Sequence, residues 1–484
     1  MFRPRVVAMI FKRFFDPRLA QSSYLLGCSS TREALVVDPN RDIDRYLEAA
    51  AQDGLRVAHV TETHIHADFV SGARELAQRA NARLYLSAAG GPDWQYRYAV
   101  EARTKAMNDG DSITVGRIEV RALHLPGHTP EHLVFLVTDT EVAGEPMGAL
   151  TGDFLFVGDV GRPDLLERAV GTRGTMETSA RQLSHSLQRL REFSDYLQIW
   201  PGHGAGSACG KSLSAVPQST LGYEKRFNWA FGVQNENDFV RAVLAGQPDP
   251  PRYFAQMKRM NLEGPRLLGQ LPPTPRLAED SLRSILQSGS TVVDTRSADE
   301  YGRGAVPGTI NIPNTRAFPT WAGSLLPYDR ELYLIVPNSG DRTVEELVRS
   351  LAGIGMDRVA GYFGSEVVDH WRKAGEELQT IPVVTVEQLS TRHRNGALLL
   401  DVRGAGEWAA GHIPGSLNLP VAELEARLDE LPRRQPLIVH CQTGARAAIA
   451  VSLLRAGGFE DVRFFRGGFA EWRAAGQPVA LSQS

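Results

Sequence analysis

A repeat constrains this 484-residue chain more than any other feature. The stretch VVDTRSADEYGRGAVPGTINIP begins at Val292, and LLDVRGAGEWAAGHIPGSLNLP follows it from Leu399, an offset of about 107 residues. Each copy then runs through a strand, a loop and a helix and closes near a tryptophan, Trp371 or Trp472, that is soon followed by Ala-Gly. Self-similarity at that period means two copies of one α/β domain. Pro382, between apolar neighbours in the stretch Gln379 to Val383, marks the break between them. Upstream, NLEGPRLLGQLPPTPR from Asn261 to Arg276 has the prolines and glycines of an extended linker. Three domains are therefore expected, over residues 1–265, 266–380 and 381–484, which suits the chain length.

The first domain also reads as α/β. Strand-like runs at Glu33 to Val37, Val57 to Thr61 and Ile118 to Leu123 end in turn signals, and helical patterning covers Ala73 to Ala80 and Ser179 to Phe193. Met1 to Phe15 is basic and lacks acids before Asp16, like a transit peptide, but Val6 to Phe15 and Tyr24 to Gly27 read as two strands. Composition narrows the partners. Lys plus Arg at 53 against Asp plus Glu at 56 gives a net charge of -3, so no basic field favours nucleic acid. No apolar run approaches a membrane span of roughly 18 residues. Three widely spaced cysteines, Cys28, Cys209 and Cys441, form no disulfide framework, and a reducing cytoplasm is expected. Homo-oligomerisation is compatible with all of this.

Eight of the twelve histidines lie between His59 and His203. They arrive in short motifs after strand-like runs: THIHAD with His64, His66 and Asp68; LPGHT with His128; and PGHG with His203. TGD with Asp153 follows another such run. Four loops meeting at one end of a sheet bring imidazoles and carboxylates together, and two imidazoles with one carboxylate hold a divalent metal while leaving positions open.

These four ordered motifs resemble those of the metallo-β-lactamase-fold proteins of the glyoxalase II and persulfide dioxygenase branch, over roughly Val6 to Phe231. The resemblance implies an αββα domain. The family motif HxHxDH stands here as His64, His66, Asp68 and then Phe69 where the last histidine belongs, which argues against a two-zinc hydrolase site. The persulfide dioxygenases of the branch hold one iron, and the resemblance carries its ligands onto His64, His128 and Asp153. The 2-His-1-carboxylate set is also what non-haem Fe(II) uses to activate O2. One Fe(II) per chain is expected, with zinc as the alternative metal. Asp153 is chosen over Asp159 of VGD because its sequence context matches the family's ligand strand. His66, Asp68 and His203 become groups that orient ligands or substrate. Arg162 of VGDVGRPD is a candidate for holding an anionic thiol carrier, and Cys209 of GAGSACGKS for a place beside the metal.

The last domain carries IVHCQTGAR. Cys441 ends a strand, and Arg446 opens the helical run Ala447 to Leu454. A loop of inward backbone N–H groups before a helix N-terminus stabilises a thiolate. The loop and the signature Asp401, Arg403, Glu407, Gly411, His412 and Gly415 resemble the rhodanese sulfurtransferases from about Val383 to Val479. Cysteine phosphatases need C-x5-R, whereas Cys441 and Arg446 are spaced C-x4-R, a tighter cradle suited to a persulfide sulfur. Cys441 is thus the expected nucleophile and Arg446 a substrate-binding residue. The middle copy reads LIVPNSGDR from Leu334 to Arg342, with no cysteine, a loop that looks one residue shorter, and Ala305 in the place of His412. It is expected to be structural.

The domain order resembles persulfide dioxygenase–rhodanese fusions. The implied function is oxidation of a low-molecular-weight thiol persulfide by O2 to sulfite, coupled to sulfane-sulfur transfer among persulfide, sulfite and thiosulfate through Cys441. A glyoxalase II-like zinc thioester hydrolase fused to a rhodanese is the alternative. A non-enzymatic metal or redox sensor is a third class.

Overall fold

The computed structural model describes residues 9–481 except 102, 172, 173, 272, 338, 339 and 395. The described chain divides into two compact units. One runs through Leu271 and includes Ala352–Gly355; the other holds Pro272–Leu351 and the chain from Met356 onward.

Two six-stranded sheets build the first unit. One takes its strands in chain order: β1 (Met9–Asp16), β2 (Gln21–Cys28), β3 (Glu33–Val37), β4 (Arg56–Thr61), β5 (Arg83–Ser87) and β6 (Thr104–Met107). The other does the same with β7 (Ser112–Val115), β8 (Ile118–His124), β9 (Leu133–Asp139), β10 (Gly148–Gly152), β11 (Gln198–Pro201) and β12 (Ser219–Thr220). The central strands are apolar on both faces, and the side-chain period of two sorts them into layers. Leu35 and Val37 of β3 meet Leu133, Phe135 and Val137 of β9 in a core between the sheets. Ala34 and Val36 face the other way, onto the helices Asp44–Gln52 and Ala73–Arg79. Val134 and Leu136 pack on the helices Met176–Arg191 and Glu236–Leu244. The result is the expected αββα sandwich. The N-terminal run is a strand from Met9, and Val6 to Ala8 lie outside the described residues.

The stretch read as a linker begins inside a helix, Phe254–Glu263, and the described residues after it lack regular structure up to the bridge at Arg276. Asn261 belongs to that helix and to the first unit.

The second unit realises the repeat in four matching strands, with a fifth strand in the second copy where the first has only the bridge Arg276 to Tyr362. A sheet of β13 (Thr291–Asp294), β14 (Ile310–Asn311), β15 (Leu332–Val336) and β16 (Val359–Gly364) has the spatial order β14-β13-β15-β16. The second sheet contains β17 (Val383–Val384), β18 (Leu398–Asp401), β19 (Leu417–Asn418), β20 (Leu437–His440) and β21 (Val462–Phe465), ordered β17-β21-β20-β18-β19. All the ladders are parallel. The same polar clasp closes each copy. Arg296 grips Asp294 through Nε and Nη2 and donates to the Gly304 carbonyl, as Arg403 grips Asp401 and donates to Gly411. Asn311 and Asn418 each donate to the carbonyls of the clasped Asp and Arg. Among the described residues no helix is long and apolar enough to cross a membrane. All three cysteines are free.

Candidate functional site

Four loops converge on one buried cluster, and they come from both sheets rather than one. The loop after β4 brings His64, His66 and Asp68; the β8–β9 turn brings His128; the residue after β10 is Asp153; and the residues after β11 include His203. Gly152 makes this possible. It takes a left-handed φ of 50°, and a Cβ there would lie 2.5 Å from Thr63 Oγ1 and 3.0 Å from His132 Nε2.

Single donor atoms of His64, His128 and Asp153 lie within 4.8 Å of one another, and all three residues are buried. His64 Nε2 is 3.9 Å and His128 Nε2 3.6 Å from Asp153 Oδ2. The outer ring nitrogens are engaged elsewhere. His128 Nδ1 lies 3.1 Å from the Arg162 carbonyl, which only accepts, so Nδ1 carries the proton. Thr63 Oγ1 donates to Asp38 Oδ2 at 2.9 Å and receives from His64 Nδ1 at 2.9 Å. Both imidazoles thereby turn an Nε2 lone pair toward the same carboxylate, whose two oxygens have no hydrogen-bond donor among the described residues. Two lone pairs beside an unsatisfied buried carboxylate fit a divalent cation.

The surrounding groups divide. Asp38, itself at a left-handed φ of 50°, accepts from the Thr63 amide at 2.6 Å and pairs with His66 Nε2 at 3.1 Å. Burial opposes charge on His66, but Asp38 prevails and raises the imidazole to about 9. Phe69 packs its ring 4.4 Å from that of His66. His203 Nε2 stands 3.1 Å from Asp68 Oδ2 and 3.4 Å from Asp153 Oδ1. Against the cost of burial, these carboxylates hold His203 well above its ordinary range. Asp68, His203 and Cys209 make a second cluster of the same tightness as the first. Burial first, then Asp153 and Asp68, pushes the Cys209 thiol up to about 12, so it is a neutral thiol in this pocket.

Arg162 departs from the expectation. It is fully buried, grips Asp164 with Nε and Nη2 at 2.8 Å each, and donates from Nη1 to the Ala208 carbonyl at 3.1 Å. Fully buried and with its charge met by Asp164, the guanidinium has no exposed surface to offer a thiol carrier. Asp159 is a fastener as well, accepting from the Lys211 and Ser212 amides and from Trp229 Nε1.

Three contributors escaped the sequence reading. His132 stacks on His64 at 4.9 Å, and its Nε2 accepts from the Asp153 amide. Glu131 accepts from the Ile65 amide at 2.8 Å, and burial raises its carboxyl to about 7. Asn261 donates to the His66 and Phe69 carbonyls and accepts from the Ser71 amide. Glu131 and His132 had a signal, their closeness to PGHT, and Asn261 had none.

In the second unit, Cys441 follows β20 directly and is 1% exposed. Its Sγ accepts from the Gly444 amide at 3.1 Å. Gly444 has φ 100°, and a Cβ there would collide with the Arg466 carbonyl. The helix begins at Ala445, so Arg446 lies in its first turn, held bidentately by Glu407 at 2.6 and 2.8 Å. His412 stacks on Trp408 at 3.8 Å, away from the thiol's own hydrogen bond. In the cysteine-less copy, ladder register pairs Asp294 with Ile335, as Asp401 pairs with His440. Val336 therefore stands where Cys441 does. From there to the left-handed glycine, Gly340 against Gly444, the loop is one residue longer rather than shorter. Asn338 and Ser339 of that loop lie outside the described residues.

Two family models match the chain: the metallo-beta-lactamase superfamily over residues 16–203 and the rhodanese-like domain over residues 385–475. A solved metallo-beta-lactamase from Staphylococcus aureus subsp. aureus COL is 42% identical, with a TM-score of 0.66, and the match covers 74% of this chain and 99% of that one. Among curated proteins, a persulfide dioxygenase of Bos taurus is 29% identical over 206 residues, 40% of this chain and 68% of the relative. A hydroxyacylglutathione hydrolase of Gloeobacter violaceus is 33% identical over 182 residues, 37% of this chain and 62% of the relative.

Proposed function

The chain belongs to the metallo-β-lactamase superfamily and carries a rhodanese-like domain, and from that premise we propose that it is a bifunctional sulfur enzyme. The first unit oxidises a low-molecular-weight thiol persulfide to sulfite with O2. The second moves sulfane sulfur through Cys441.

One observation carries the first half: two Nε2 lone pairs and an unsatisfied carboxylate turned on one point, with Phe69 rather than a third imidazole at the end of the motif. His64, His128 and Asp153 would hold Fe(II), which would supply O2 activation. The chain's own groups do the rest. Thr63 and the Arg162 carbonyl fix the ring orientation of the two imidazoles. The charged His203 between Asp68 and Asp153 is a proton store facing the site. In the second unit the Cys441 thiolate attacks the outer sulfur of thiosulfate; the new S–S bond forms as the S–SO3 bond breaks, and sulfite leaves with the electron pair. Reversal, by attack of sulfite on the Cys441 persulfide, makes thiosulfate without any external oxidant.

A second reading, a two-zinc thioester hydrolase, draws support from the Asp68–His203–Cys209 cluster and the hydroxyacylglutathione hydrolase likeness. Metal analysis of anaerobically purified protein decides between them. One iron per chain, lost in His64→Ala, His128→Ala and Asp153→Ala together with persulfide-dependent O2 uptake, is expected. Two zinc ions with thioesterase activity and no O2 uptake would overturn the proposal.

A further inference from the structure

The two copies of the repeat hold the same Glu and Arg and use them differently. Glu300 and Glu407 each stand at the third position of the equivalent helix, after the caps Ser297 and Gly404. Arg342 and Arg446 each follow the left-handed glycine of the loop, Gly340 or Gly444, by two residues. In the cysteine-less copy the two charges are separate. Glu300 turns back on its own cap, accepting from the amide and the hydroxyl of Ser297, and Arg342 pairs along its own helix with Glu346 at 3.3 Å, its side chain 89% exposed. Where the cysteine is present they join. Arg446 donates from Nη1 and Nη2 to the two oxygens of Glu407 at 2.6 and 2.8 Å, and its side chain is only 23% exposed. Glu407 is itself anchored, because Oε2 also accepts from the Gly404 amide at 3.1 Å. The guanidinium that it holds is the cation in contact with the Cys441 sulfur, which meets Arg446 both as a charge and as a hydrogen-bond acceptor.

We propose that Glu407 is a positioning residue of the sulfurtransferase: it pins Arg446 beside Cys441, where the guanidinium receives the oxyanion end of thiosulfate. The inference rests on the sulfurtransferase reading of Cys441. Glu407 takes one N–H from each terminal nitrogen of Arg446, and the guanidinium keeps its other N–H groups for the thiol and an incoming anion. A bidentate carboxylate fixes the plane of a guanidinium as a single contact does not, so Arg446 meets the anion with its rotamer entropy already lost. Arg342 shows where the same side chain goes without that partner: along its own helix and out into solvent. As Cys441 attacks the outer sulfur, the new S–S bond forms, the S–SO3 bond breaks, and sulfite leaves with the electron pair. Charge therefore grows on the oxygens that Arg446 holds. Glu407 touches neither sulfur nor oxyanion in this scheme and acts through Arg446.

Pinning and mere screening predict opposite signs. If Glu407 pins Arg446, Glu407→Ala releases the guanidinium and anions lose their receptor. If Glu407 only screens that charge, the same substitution bares it and anions gain. With the full chain in a thiosulfate:cyanide assay, Glu407→Ala should raise the KM for thiosulfate about fivefold, more than it lowers kcat, with Glu407→Asp in between. Arg446→Met should raise it about tenfold. The double variant should be no worse than Arg446→Met alone, because one residue acts through the other. Losses that multiply in the double variant would mean that Glu407 serves only its own helix cap, or that its loss unfolds the domain, and would overturn the proposal. So would a lower KM in Glu407→Ala. Alkylation of Cys441, followed by peptide mass spectrometry, gives a readout independent of turnover. The ratio of the iodoacetate rate to the iodoacetamide rate should fall about threefold in Glu407→Ala and in Arg446→Met. An unchanged or higher ratio in Glu407→Ala would again overturn the proposal. A wild type without Cys441-dependent sulfur transfer would instead sink the reading of Cys441, while the alkylation ratio would still report whether Glu407 keeps Arg446 at the thiol.

Discussion

Asn261 uses both its amide hydrogens and its carbonyl on the loop that carries His66 and Phe69, from a helix almost two hundred residues further along the chain. Its sequence neighbourhood, rich in glycine and proline, reads as a linker, and no local pattern reports a partner so distant. Asn261→Ala should leave two carbonyls and an amide buried without partners, at roughly 3 kcal/mol. Denaturant unfolding should show that loss, and metal affinity should fall with it. The clustering of the candidate ligands His64, His128 and Asp153 was legible because metal chemistry restricts residue type and because each follows a strand. Arg162 was misread for a related reason: its sequence context announces a guanidinium beside the site but not Asp164, which consumes it. His440 makes a pH prediction. Burial lowers it to about 4, so between pH 6.5 and 4 the unfolded chain binds a proton that the folded chain does not. Stability from this group is complete above pH 6.5 and is lost as the pH falls through that window, by on the order of 3 kcal/mol. A His440→Gln variant should flatten that part of the profile of midpoint against pH.

At the scale of elements, the repeated segment was readable because its Asp, Arg and Asn positions form the same clasp twice, but the length of the loop that follows was not. Strand positions were readable from apolar runs. Their ends were not: β8 runs to His124, and the helix after Cys441 starts at Ala445, because hydrogen-bond partners in the ladder or the turn set those limits. The register of β15 decides the fate of the middle copy, where an apolar Val336 occupies the nucleophile position. The loop after Cys441 offers the sharper test. Gly444→Ala requires an unfavourable φ and a collision with the Arg466 carbonyl, costs of about 1–3 kcal/mol. Sulfurtransferase activity should fall by more than tenfold, while metal content and O2 uptake stay at the wild-type level; equal loss of both activities would show that the loop is not separable from the first unit.

For the molecule as a whole, the proposed function puts the source of sulfite and the thiol that combines it with sulfane sulfur on a single chain. Cys441→Ser should therefore convert the product of persulfide plus O2 from thiosulfate to sulfite at an unchanged rate of O2 uptake, as ion chromatography would show. Identical product ratios in wild type and variant would rule out coupling. The burial of the three cysteines carries this further. Cys28, though covered, borders an exposed turn: burial opposes its charge, but Ser30 of that turn, together with the Arg117 amide, prevails and lowers the thiol to about 6. Cys209 and Cys441 are 2% and 1% exposed. A thiol at that depth admits a triatomic or tetrahedral reagent and turns away the surface cysteine of another protein. The fold is in effect a sieve. On the proposed function, sulfur would enter and leave Cys441 on small diffusing molecules rather than from the surface cysteine of another protein.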